Sequence, residues 1–223
     1  MAQATIIPFP RRTAEPAPEP VAFAIGARVD LRVGALAGGV VRPRGGEEDA
    51  YGFSHLARVL RAARMAWRER GAHTGLMLAL TPALQPKLEA GLLNDAALEA
   101  GWTRPKFGFE LCERALVDHG GDLAEQLRAC GWSIALRGDS ACPLAFGARV
   151  RALFSELIVD APAGPFLALD EDDHTPLGRR ILAAKGAGML LTAASVQSAA
   201  QARTLAIAGF DRGGGPFAEA ALR

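Results

Sequence analysis

The chain has 223 residues, a net charge of +1 and half its residues hydrophobic, which suits one large α/β domain or two small ones with a real core. So small a charge supplies no global field to draw nucleic acid or a membrane surface. No apolar run approaches the ~18 residues of a spanning helix.

Residues 1–20 carry Pro8, Pro10, Pro16, Pro18 and Pro20 and little that could be buried, which reads as a disordered or polyproline-like lead-in. Pro8, Pro10, Arg11 and Arg12 interrupt the apolar core that a signal peptide would need. Cys112, Cys130 and Cys142 are an odd set without a CxxC pair, so neither a zinc site nor a disulfide framework is suggested. Reduced thiols in a cytoplasmic protein are expected.

From residue 21 onward strand-length apolar runs fall at 21–25, 37–41, 75–80, 107–111, 133–136, 157–160, 166–169 and 189–192. Phe53, Leu56, Leu60, Ala63 and Trp67 recur at helical spacing and define one apolar face. Further amphipathic segments cover 113–130, 176–187 and 197–208, and Gly71, Gly131 and Gly209 follow three of the helices as terminators. Strands alternating with helices point to parallel βαβ units, in an open doubly wound sheet or a closed (β/α) barrel.

Several charged features invite functional readings. Arg58, Arg61, Arg64 and Arg68 line one side of the 53–70 helix. They form either a solvated face, the ordinary case, or a surface for an acidic protein partner or nucleic acid. The acidic run Asp170–Asp173 with His174 reads as a solvated loop, and His55, His73, His119 and His174 lack metal-ligand spacing. Gly213, Gly214 and Gly215 lack the Lys-Ser/Thr of a phosphate loop and read as a closing loop.

Five segments occur in a telling order: FGFELCE (107–113), WSIALRGDSAC (132–142), LIVD (157–160), LTAASVQ (191–197) and GFDRGGGPF (209–217). In order and spacing they resemble the landmark segments ELTE, IALDDFGTG, KID, AEGVE and QG of the EAL domain, the cyclic di-GMP phosphodiesterase family. The resemblance covers residues 21–223. It implies a modified (β/α) TIM-like barrel with its site at the C-terminal ends of the strands.

Carried over position by position, the resemblance implies a stripped site. Gly38, Gly39 and Val40 stand where the EAL tripeptide falls, before a matching Arg42. Ala79 replaces the asparagine ligand, Arg137 and Gly138 the aspartate pair, Ile158 the lysine, Ala194 and Gln197 the two late glutamates, and Gly214 the glutamine. Glu110 and Asp160 survive, and Asp139 is a candidate displaced aspartate. Two carboxylates do not make the oxygen octahedron that Mg²⁺ needs, and Arg137 brings a fixed positive charge, so neither metal nor cofactor is expected.

Arg137 either seals the old site by pairing with Glu110 or Asp160, or holds a phosphate bidentately. The span from Gly38 to Ala79 is shorter than in the family, so one early helix is expected to be missing, exposing apolar surface for a partner or a second copy. The resemblance thus implies a catalytically inactive regulator acting through another protein, in bacterial motility, biofilm or cell-cycle signalling. Homodimerisation stays open, and cyclic di-GMP is disfavoured as a partner. The alternative is a cyclic di-GMP receptor that binds without hydrolysis, contacting it through Arg42, Arg137, Glu110 and Asp160.

Overall fold

The computed structural model describes residues 22–44, 53–83, 85–119, 121–138, 148–160 and 175–220. The expected N-terminal tail, the strand at 166–169, the acidic run with His174, and Asp139 and Cys142 all lie outside them. Strand β1 (Phe23–Asp30) turns back into β2 (Leu36–Pro43) as an antiparallel hairpin. Asp30 shapes the turn. Its carboxylate accepts from the Arg32 and Val33 amides, and Gly34 takes the left-handed φ of 71° that the reversal requires.

After the hairpin the chain alternates: α1 (Phe53–Glu69), β3 (Leu76–Ala79), α2 (Ala90–Glu99), β4 (Phe107–Cys112), α3 (Glu113–His119), α4 (Asp122–Ala129) and β5 (Ser133–Arg137). It continues through α5 (Ala148–Arg151), β6 (Glu156–Asp160), α6 (Pro176–Gly186), β7 (Leu190–Ala194), α7 (Ala199–Ile207), β8 (Arg212–Gly214) and α8 (Pro216–Ala220). The strands close in sequence order into an eight-stranded barrel. All neighbours from β2 to β8 are parallel, while β1 runs antiparallel to both β2 and β8. This is the TIM-like barrel that was expected, with one inverted strand.

Two kinds of interior result. Alternate strand residues facing outward, such as Val41, Leu78, Phe109, Leu111, Ile134, Leu136, Leu157 and Leu191, join the helices in one continuous apolar core. On α1 the expected stripe of Leu56, Leu60, Ala63 and Trp67 is buried in it. Gly39 lets this helix come close, because a Cβ there would sit 2.8 Å from the Trp67 ring and 2.7 Å from Leu76. A glycine at this position therefore has a packing reason, independent of any lost ligand. The inward-facing residues are small or charged instead, among them Gly26, Arg28, Glu110, Ala135, Glu156, Thr192 and Gly214.

Helix ends follow the sequence. Gly71, Gly131 and Gly209 have φ of 71°, 85° and 88°, each just past α1, α4 and α7. Other expectations need correction. The segment 113–130 is two helices, α3 and α4, and α2 was not foreseen. The apolar run at 21–25 starts too early, because β1 extends to Asp30. Gly213 and Gly214 belong to β8, the strand that closes the barrel, because parallel pairing with β7 supplies the hydrogen bonds that their missing side chains do not oppose.

Among the described residues one helix, α1, links β2 to β3, as at least one helix links every other parallel pair, so the structure itself shows no gap where an early helix was expected to be missing. The exposed sheet expected from its loss is not found. Helix α1 covers that side, and the exposed large hydrophobics Val33, Met65, Leu98, Val117, Leu190 and Ile207 fall on different elements instead of forming a patch.

Candidate functional site at the barrel mouth

The C-terminal ends of the parallel strands surround a cavity of about 370 Å³, lined by Gly26, Arg28, Val40, Arg42, Arg137, Ile158, Thr192, Ala194, Ser195, Gly214 and Glu219. Pairing register sets the levels. Ala79 lies beside Glu110, Arg137 beside Cys112 and Ile158, and Asp160 beside Ala194. The sequence-derived positions thus converge on one rim. Gly38 instead pairs with Arg28 and faces the lower half of the barrel.

Charge fills the barrel axis. Arg28 is buried, and its Nη2 donates to Glu110 Oε2 at 2.5 Å while Nη1 donates to Glu156 Oε1 at 3.2 Å. Glu156, fully buried, also accepts from Arg212 at 3.1 Å and from the Thr192 hydroxyl at 2.5 Å. One level higher, Arg137 Nη1 reaches Glu110 Oε1 at 3.5 Å and Nη2 reaches Asp160 Oδ1 at 2.9 Å. Glu110 is therefore gripped from below and only grazed from above. A second buried pair, Arg180–Glu113, ties α6 to the start of α3.

Arg42 is the cation at the rim without a hydrogen bond or ion pair among the described residues. Its guanidinium stands over Gly26, where an added Cβ would lie 3.4 Å from Nη1. Although the residue as a whole is exposed, contact with the rim removes part of its hydration, and this is the main reason its pKa lies below the ordinary value. Glu110 pulls the other way, and the positive Arg137 and Arg28 add to the lowering. Arginine stays charged at neutral pH regardless. Repulsion from two neighbouring guanidiniums is what an anion would relieve. On the lining of the same cavity, Ser195 adopts φ of 60°, a left-handed conformation rare for serine. Gln197 is exposed and donates to the Ser195 carbonyl at 2.9 Å.

No family model and no curated protein sequence matches this chain. Solved structures do resemble it. The PaMucR phosphodiesterase, in a complex with cyclic di-GMP, superposes with a TM-score of 0.67 at 19% identity over 88% of this chain and 95% of its own. Klebsiella pneumoniae BlrP1, with calcium and cyclic di-GMP, gives 0.62 at 18% identity over 89% of this chain and 55% of its own. The EAL domain of Mycobacterium smegmatis DcpA gives 0.61 at 20% identity over 87% and 90%. The fold is an EAL-type barrel.

A divalent cation, as in the BlrP1 complex, does not suit the residues present. Both Glu110 oxygens and Oδ1 of Asp160 are engaged by guanidiniums, and among the described residues no three His, Cys, Asp or Glu side chains cluster. Arg137 adds repulsion. Two unit charges ~4 Å apart at an effective dielectric near 20 repel by roughly 4 kcal/mol, and a divalent ion doubles that. The expectation that disfavoured cyclic di-GMP is corrected, because folds of this form are solved with that ligand bound.

The arginine stripe of α1 is not one open face. Arg58 is half-buried, Arg61 pairs with Glu99 of α2 at 3.2 Å, and Arg64 donates to the Ala100 carbonyl at 3.3 Å. Arg61, although paired, and Arg68 are both exposed. Sequence reasoning missed Arg28, Glu156, Thr192 and Arg212. The available signal was an arginine at an inward alternate position of an otherwise apolar strand, in FAIGARVD. No helix among the described residues is long and apolar enough to cross a membrane.

Proposed function

We propose that this chain is a non-hydrolytic signalling module that holds a phosphodiester ligand of the cyclic di-GMP class at its barrel mouth. Arg42 and Arg137 are its phosphate contacts. The observation that carries this reading is the arrangement of guanidiniums where a hydrolytic site would need carboxylate oxygens free for a cation. Arginine binds phosphate bidentately and needs no metal to do so. It cannot lower the pKa of a water as a divalent ion does, so binding is retained and in-line cleavage is not.

Exposure decides whether Arg137 can reach the ligand. Its pair with Asp160 is open to solvent, the two side chains being 36% and 66% exposed, and such pairs contribute about 0–1 kcal/mol. Its contact with Glu110 is long at 3.5 Å. An incoming phosphate can displace both at small cost. Arg28 is different: held by two buried carboxylates, it stays as the floor of the site.

A second reading is a protein-binding regulator whose mouth is closed by the Glu110–Arg137–Asp160 contacts. The same ion pairs favour it, with Arg137 as a plug in place of a ligand contact.

The test is chromatographic. Purified protein incubated with cyclic di-GMP and Mg²⁺ or Mn²⁺ is expected to yield no more linear product than the protein-free control. Turnover abolished by Glu110→Ala would show that a working metal site exists and end this reading.

A further inference from the structure

At the opposite end of the barrel from the mouth lies a second cavity, of about 270 Å³, between the C-terminal half of α1 and the segments that enter β3 and β4. Its floor is the edge of Trp67 and Trp102, both buried and both held in place. The Trp67 indole donates to the Thr74 carbonyl at 3.0 Å and the Trp102 indole to the Leu60 carbonyl at 3.1 Å. Its rim is basic: Arg64, Arg68, His73 and Lys106 line it, with no carboxylate among the lining residues. Arg64 and Lys106 are positioned by backbone carbonyls, Arg64 on Ala100 at 3.3 Å and Lys106 on His73 at 2.8 Å. None of Arg64, Arg68 and Lys106 has an ion-pair partner among the described residues.

We infer that this cavity is a binding site for a compact phosphate-bearing anion, separate from the mouth. Three cations converge on one cavity without compensation. Arg64 and Arg68 stand one helical turn apart, a like-charge spacing that disfavours the helix unless an anion bridges it. The volume is just below the usual range of small-molecule sites, ~300–1,000 Å³. It suits a diphosphate or a small phosphorylated molecule better than a cyclic dinucleotide. The fixed indole edges keep the floor rigid, so the basic groups need little ordering to close on the ligand. Two of the arginines singled out in the sequence thus gain a ligand role that the barrel mouth does not give them.

The chain's three tryptophans make the site directly observable. The ¹⁵N-labelled full chain in metal-free buffer is titrated with pyrophosphate while the three indole N–H signals are followed. Those of Trp67 and Trp102 are expected to shift together and saturably, while that of Trp132, which is fully buried, does not line this cavity and donates to Asn94, stays still. Arg68→Gln, at an exposed position that the fold tolerates, is expected to weaken the binding roughly tenfold, as is Lys106→Gln. Arg42→Gln at the mouth should leave it unchanged. Absence of a saturable shift at millimolar pyrophosphate would overturn the inference. So would loss of the shift in Arg42→Gln but not in Arg68→Gln, which would place the anion at the mouth.

Discussion

Replacing Arg28 by methionine is expected to be among the most damaging single changes in the barrel. Its guanidinium links Glu110 and Glu156, whose side chains are 2% and 0% exposed. Methionine keeps most of the apolar stem, so little volume is lost, although the Nη1 contact with the Met77 sulfur goes with the guanidinium. Glu156 keeps Arg212 and Thr192 as partners. Glu110 does not fare as well, since only the long, half-exposed contact with Arg137 remains. Removing one partner of a buried ion pair costs ~3–5 kcal/mol. At ~2–4 °C per kcal/mol for a domain of this size, the thermal midpoint should fall by roughly 6–20 °C. Adding Glu110→Leu should recover much of the loss, because apolar replacement of a whole buried pair is often neutral. Calorimetry on the three proteins decides it. An Arg28→Met midpoint within a degree or two of the parent at pH 7 would refute the buried network.

Arg180→Met should likewise lower stability, by ~3 kcal/mol or more, since it removes a buried ion-pair partner of the fully buried Glu113 and unties α6 from α3; denaturant unfolding measures it. Gly108→Ala should destabilise by ~1–3 kcal/mol, because its Cβ would lie 2.5 Å from the Ser133 carbonyl across the β4–β5 ladder, and an unchanged midpoint would mean the two strands are not so close. Asp160→Asn should leave stability nearly unchanged while tightening cyclic di-GMP up to about fivefold, as Arg137 loses an exposed competitor worth ~1 kcal/mol or less. Unchanged or weaker binding in that variant would favour Arg137 as a plug.

Much of this was legible in the sequence because it is local. The α1 stripe and its closing Gly71 are written within one segment, and the run FGFELC is apolar enough to declare a strand. Glu110, Arg137 and Asp160 could be brought to one rim because each lies in the C-terminal half of a recognisable strand, the last two at its end, and the resemblance supplied their order. What was missed is non-local. Arg28 meets Glu156 across 128 positions, and nothing in FAIGARVD says which inward residue lies opposite. Arg212 and the two glycines after it form a strand with hardly an apolar side chain, so only the closure of the barrel reveals it. The exposed patch was wrongly expected because a helix count says nothing about how far the remaining helix spreads. Glycine at position 39 lets α1 settle onto the sheet and cover it.

The most direct measurement of metal-independent binding at the mouth is isothermal titration of cyclic di-GMP into the full chain in EDTA, repeated with Arg42→Ala. Binding should persist in EDTA, and Arg42→Ala should weaken it by roughly 10- to 100-fold, the loss of a charge-assisted phosphate contact of ~1.5–3 kcal/mol. No heat of binding in EDTA, or an affinity that ignores Arg42→Ala, would contradict it.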